Sequence, residues 1–68
     1  MSNVKQYRES AGLSQSKLAE VSGVNLRMIQ KYEQGERDIN LAQAITLYKL
    51  AQVLNCTIEN LLEIKKEV

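Results

Sequence analysis

Leu26, Arg27, Gln30, Lys31 and Gln34 recur at the three- and four-residue spacing that brings side chains to one side of a helix. Their chemistry is recognition by hydrogen bonding and contact. A guanidinium can bond O6 and N7 of guanine as a pair, an ammonium can reach the same atoms or a phosphate, and a leucine can meet a thymine methyl. Met28 stands at the edge of the same face. Gln15 and Asn25 fall at expected helix N-termini, where backbone N–H groups and the helix dipole favour a phosphate.

Bond-making chemistry has few candidates. The chain has no histidine, its one thiol, Cys56, sits beside no obvious base, and its eight carboxylates are dispersed among lysines and arginines. A lone cysteine without histidine offers no metal ligand set. The three glycines, Gly12, Gly23 and Gly35, lie far apart and each ends a helix, so there is no glycine-rich phosphate loop. No catalysis, cofactor, metal or small-molecule pocket is expected.

The elements that must position the outer face announce themselves by their start signals. Ser14 lies between apolar Leu13 and Leu18, Asn25 between Val24 and Ile29, and Thr57 between Cys56 and Leu61. This is the hydrophobic-staple arrangement around a capping residue, each cap worth roughly 1 kcal/mol. Asn3 and Asn40, followed three residues later by Gln6 and Gln43, are the expected caps of two further helices. Gly12, Gly35 and Asn55 supply stops, and Gly23 a turn of about three residues. The expected helices are 3–11, 15–22, 26–34, 41–54 and 58–66, and no stretch alternates long enough to be a strand. Periodicity puts Leu18, Ala19 and Val21 on the inner side of the second helix and Ile29 and Tyr32 on that of the third.

The whole chain, residues 1–68, is read as one all-α domain, of a size that buries about 60% of its unfolded surface. A single cysteine excludes an internal disulfide, which suits a reducing compartment. With no apolar start and no membrane-length apolar run, a soluble cytoplasmic protein is expected. The net charge of only +1 is unevenly placed. Residues 1–37 hold six basic and four acidic side chains, and residues 38–68 three and four. Lys17, Arg27, Lys31 and Arg37 lie in or next to the central helix pair, while Glu59, Glu63 and Glu67 lie at the far end. The local field, not the total, is what a phosphate backbone meets.

Taken together, Arg8, Gly12-Leu13-Ser14-Gln15, Leu18-Ala19, Gly23-Val24, Ile29, Glu33 and Gly35 resemble the phage repressor and Cro-type, or XRE, helix-turn-helix family. Leu50-Ala51, Leu54 and residues 57–62 resemble its fourth and fifth helices, so the likeness covers nearly the whole chain. The resemblance implies a five-helix, lambda-repressor-like bundle that regulates transcription. It implies base reading by Leu26, Arg27 and Lys31, with Met28 a lesser candidate; Gln30 joins them from its place on the outer face. Gln15 matches a position that touches phosphate and the outermost base pair, and Asn25 a phosphate contact. Gln34 and Gly35 match a loop that meets the backbone through main-chain groups; Lys17 and Arg37, from their charge beside the helix pair and not from the resemblance, are expected as further phosphate contacts. Arg8 and Glu33 match a structural ion pair between the first and third helices. This chain departs from the pattern at apolar Leu26 and Met28, and at Glu36 and Asp38, which make the following loop less basic.

The fifth helix carries more apolar positions than one inward stripe uses. Ile58, Leu61 and Leu62 are expected inside, leaving Ile64 and Val68 to pair two copies across a two-fold axis. The expected function is a sequence-specific double-stranded-DNA-binding regulator, a repressor acting as a homodimer. The alternative is a non-catalytic protein-interaction module, antitoxin-like or adaptor, using Leu26, Met28 and the fifth helix.

Overall fold

A computed structural model describes residues 2–64. Five α-helices follow one another: α1 Asn3–Ser10, α2 Gln15–Ser22, α3 Leu26–Gln34, α4 Ala44–Leu54 and α5 Ile58–Leu61, with a 3-10 turn at Ile39–Leu41 between α3 and α4. Helix α2 packs on α3 and α4, α1 on α3 and α5, and α4 on α5. One core joins them, with Val4, Leu18, Ile29, Leu50 and Leu61 fully buried and Tyr32, Ile39, Leu47 and Leu54 nearly so. Each helix contributes at least one side chain, so no helix can leave without opening a cavity.

Local signals explain the central helices. Ser14 accepts from the Lys17 N–H and Asn25 from the Arg27 N–H, satisfying donors that the first helical turn leaves unpaired. Thr57 and Asn60 form a reciprocal capping box. Gly23 takes φ +75° and closes α2 with its N–H on the Ala19 carbonyl. A Cβ there would meet nothing within 4 Å, so the left-handed backbone, and not crowding, calls for glycine. Cys56 is half-buried against the core, and burial pushes its thiol above the usual range, so it stays protonated near neutrality.

Four expectations need correction. The cap of α1 is Ser2, whose hydroxyl accepts from the Lys5 N–H, and not Asn3. Helix α4 begins at Ala44 and not at 41; residues 39–41 form the 3-10 turn, capped by Asp38 and not by Asn40. Val21 is 47% exposed. Gln15, Leu18, Ala19 and Ser22 complete the inward stripe of α2, and Val21 lies roughly 100° around the helix from it. Helix α5 stops at Leu61 because Leu62 turns extended, with φ −70° and ψ 147°.

The two displaced asparagines explain that early stop. Asn3 Nδ2 donates to the Leu62 carbonyl at 2.8 Å, and the Glu63 N–H donates to Asn40 Oδ1 at 2.8 Å. These side chains tie residues 62–63 to the body instead of capping helices. Residues 65–68 lie outside the described part of the chain, and with them the end of the expected fifth helix and Val68.

A buried ion pair joins α1 to α3. Arg8 Nε donates to Glu33 Oε2 at 2.8 Å and Nη2 to Oε1 at 3.0 Å, a bidentate pairing. Arg8 Nη1 donates to the Leu13 carbonyl at 2.7 Å, and Gln15 Nε2 to Glu33 Oε1 at 3.0 Å. The two charged side chains are 11% and 3% exposed. Hydrogen bonding to Glu33 raises the guanidinium's pKa above its usual value against an opposing cost of burial. Removing one partner strands a buried charge. Glu33→Ala is therefore expected to destabilise the domain by about 3–5 kcal/mol. Glu33→Gln, which keeps an acceptor, is expected to lose less. Chemical denaturation checks both, and a Glu33→Ala protein as stable as the parent would contradict this.

Candidate nucleic-acid interface

The turn between α2 and α3 is built from three short interactions. Gly23 reverses the chain, Val24 tucks into the core at 7% exposure, and the Ser22 hydroxyl accepts from the Val24 N–H at 3.1 Å. Asn25 then starts α3 by accepting from the Arg27 N–H at 2.8 Å. Ile29 and Tyr32 anchor one side of α3 in the core, and Glu33 anchors it to α1. The opposite side is thereby fixed in direction.

That side is the stripe Arg27, Gln30, Lys31, Gln34, at the spacing i, i+3, i+4, i+7. Arg27, Lys31 and Gln34 are exposed and Gln30 is half-buried. Among the described residues, Arg27, Lys31 and Arg37 enter no ion pair, so their charge is free to face a partner. Leu26 is half-buried at the start of the helix. Met28 is half-buried and packs against the core, further from the outer stripe than the sequence suggests.

The flanking residues are occupied to different degrees. Gln15 lies at the first turn of α2 with one amide hydrogen spent on Glu33, so the ion-pair network also orients this side chain. Lys17 Nζ lies 2.9 Å from Glu20 Oε1, and Lys17 holds the Glu20 carboxyl below its usual range. The pair is exposed, 56% and 69%, and such contacts contribute little and exchange readily for a phosphate. At the far end, the Gly35 N–H bonds to the Tyr32 carbonyl and those of Glu36 and Arg37 to the Lys31 carbonyl. The main-chain donors of residues 35–37 thus close α3, and the exposed donors beside them are the Gln34 amide and the Arg37 guanidinium.

Sequence reasoning did not place Gln43 and Thr46 beside the end of α3. With α4 starting at Ala44, Gln43 occupies the cap position yet makes no side-chain cap bond. It borders an open groove of about 480 Å³, lined also by Met28, Tyr32, Arg37 and Thr46, between the end of α3 and the start of α4. The signal was present in Gln43 but was masked by reading Asn40 as the cap. No cluster of metal-ligating side chains forms among the described residues, and no helix there is long and apolar enough to cross a membrane.

The helix-turn-helix family model matches residues 4–61. The control protein C.SmaI of Serratia marcescens is 42% identical over 60 residues, which make up 88% of this chain and 68% of that protein. The solution structure of the N-terminal DNA-binding domain of SinR, master biofilm regulator of Bacillus subtilis, is similar at 32% identity. It superposes with a TM-score of 0.79 and covers 98% of this chain and 97% of that domain. In sequence and in fold alike, the chain belongs to the helix-turn-helix family, in its phage repressor and Cro-type (XRE) branch.

Proposed function

We propose that this chain is a sequence-specific regulator of transcription that lays α3 in the major groove of double-stranded DNA and acts in the cytoplasm as a repressor. One observation carries the reading: a helix locked to the core on one side presents Arg27, Gln30, Lys31 and Gln34 on the other, with both cations free of ion pairs among the described residues. A groove about 12 Å wide accepts such a helix, and these side chains match acceptors on guanine and on phosphate. The SinR domain is a DNA-binding domain, and C.SmaI is a control protein; the shared fold and identity support the same role here.

Within this reading Arg27 and Lys31 contact base edges, with Leu26 and Gln30 beside them and Met28 shaping the helix edge. Gln15, Lys17, Asn25, Gln34 and Arg37 sit along the phosphates, joined by Gln43 and Thr46 at the groove, while Gly35, its N–H bonded to the Tyr32 carbonyl, shapes the loop between them. The acidic Glu36 and Asp38 lower the charge of that flank, so a single copy binds modestly and two copies bind firmly. Ile64, 67% exposed, supports pairing across a two-fold axis. Two half-sites would then lie about 34 Å apart. Leu26 and Met28 are both half-buried, so of the apolar residues that the protein-interaction alternative drew on, the exposed one is Ile64, just after α5.

Selection of bound duplexes from a random double-stranded library by the purified chain tests the proposal. An enriched inverted repeat supports it. Affinity for that repeat should fall with salt at about −0.9 log units per phosphate neutralised. Failure to enrich any duplex would overturn it. Arg27→Ala is expected to cost about 1–3 kcal/mol of binding and to relax one base position; unaltered affinity and preference would remove Arg27 from base reading. Ile64→Asp is expected to leave the circular dichroism unchanged while shifting sedimentation toward the monomer and weakening binding to the repeat. Unchanged sedimentation would rule out Ile64 as a pairing residue.

A further inference from the structure

Asn40 presents both sides of its amide to a single residue far along the chain. The Glu63 N–H donates to Asn40 Oδ1 at 2.8 Å, and Asn40 Nδ2 donates to the Glu63 carbonyl at 3.2 Å, as a neighbouring strand would. From the other side, Asn3 Nδ2 donates to the Leu62 carbonyl at 2.8 Å, and the Asn3 N–H donates to Glu63 Oε2 at 3.2 Å. Four hydrogen bonds thus hold two residues, and these lie immediately before exposed Ile64.

Where Asn40 stands gives the clamp its meaning. It belongs to the 3-10 turn Ile39–Leu41, whose cap, Asp38, directly follows Arg37, and whose Ile39 is buried in the core at 2% exposure. The turn that follows the phosphate-facing end of α3 is therefore bonded to the segment that leads to the pairing residue. Three of the four hydrogen bonds are exposed, where water competes for the same groups and each adds little to stability. Their four-fold concentration on residues 62–63 serves direction instead.

We infer that Asn40, assisted by Asn3, is a positioning residue that makes the α3–α4 connection and residues 62–64 one rigid piece, so that two copies joined through Ile64 hold their α3 helices at one separation. The inference rests on the proposed reading of a DNA regulator that pairs through Ile64. Rigid linkage raises the effective concentration of the second helix at its half-site only when the separation matches. Without the clamp each copy still docks, but the pair loses its fixed span.

Three measurements test this. In the free protein, amide hydrogen exchange at Glu63 should be slow in the parent chain and faster in Asn40→Ala, a readout that needs no DNA. On duplexes, Asn40→Ala should bind an isolated half-site within about twofold of the parent, yet lose about tenfold on the preferred inverted repeat. Across repeats whose half-sites are moved apart one base pair at a time, its affinity profile should flatten. Asn40→Asp, which keeps the acceptor but not the donor, should fall between. An unchanged Glu63 exchange rate would show that the clamp does not form. Equal losses on half-site and repeat would show a merely structural role, and an unchanged spacing profile would likewise overturn the inference. Should the parent chain bind no DNA, the regulator reading fails with it, while the exchange measurement still reports whether the clamp exists.

Discussion

The outer face of α3 is held by the carboxylate of Glu33 acting with the buried Ile29 and Tyr32. That carboxylate accepts two hydrogen bonds from Arg8 on α1 and one from Gln15 on α2, while Arg8 also bonds the Leu13 carbonyl in the connection between those helices. Three helices and one loop thus meet at one buried charge pair. A hydrophobic replacement of similar volume could match its stability. It would not set the rotation of α3 about its own axis, which is what turns Arg27 and Lys31 outward, nor the orientation of Gln15 at the start of α2.

Around that centre the surface is divided by charge state. Among the described residues Arg27, Lys31 and Arg37 enter no ion pair, whereas Lys17 is held by Glu20 in an exposed contact that costs little to break. The N–H groups of residues 35–37 close α3, so the donors left exposed there belong to side chains. The net charge of +1 understates the positive face because the counterbalancing carboxylates Glu59 and Glu63 lie on and after α5.

Legibility in the sequence followed interaction range. Ser14, Asn25, Thr57, Gly23 and Asn55 act on backbone within a few residues, and their roles could be read from neighbours alone. Asn3 and Asn40 have the same side chain as a cap, but their partners lie 59 to 60 and 23 residues away, beyond any local pattern. Reading them as caps moved the start of α4 three residues early, hid Gln43, and left no reason for α5 to stop at Leu61. Val21 failed differently. An eight-residue helix offers only two turns of periodicity, and polar Gln15 and Ser22 proved to belong to the inward stripe because Gln15 serves the buried Glu33.

The central claim is that the face of α3 held out by the Arg8–Glu33 pair is the surface that meets DNA. Amide chemical shifts of the labelled chain, recorded as it is titrated with its selected duplex, test this most directly. The account predicts changes concentrated at residues 15–17, 25–31 and 34–37, with the core residues of α4 little moved. Changes centred on the exposed face of α4 around Ile45 and Tyr48, with α3 undisturbed, would contradict it.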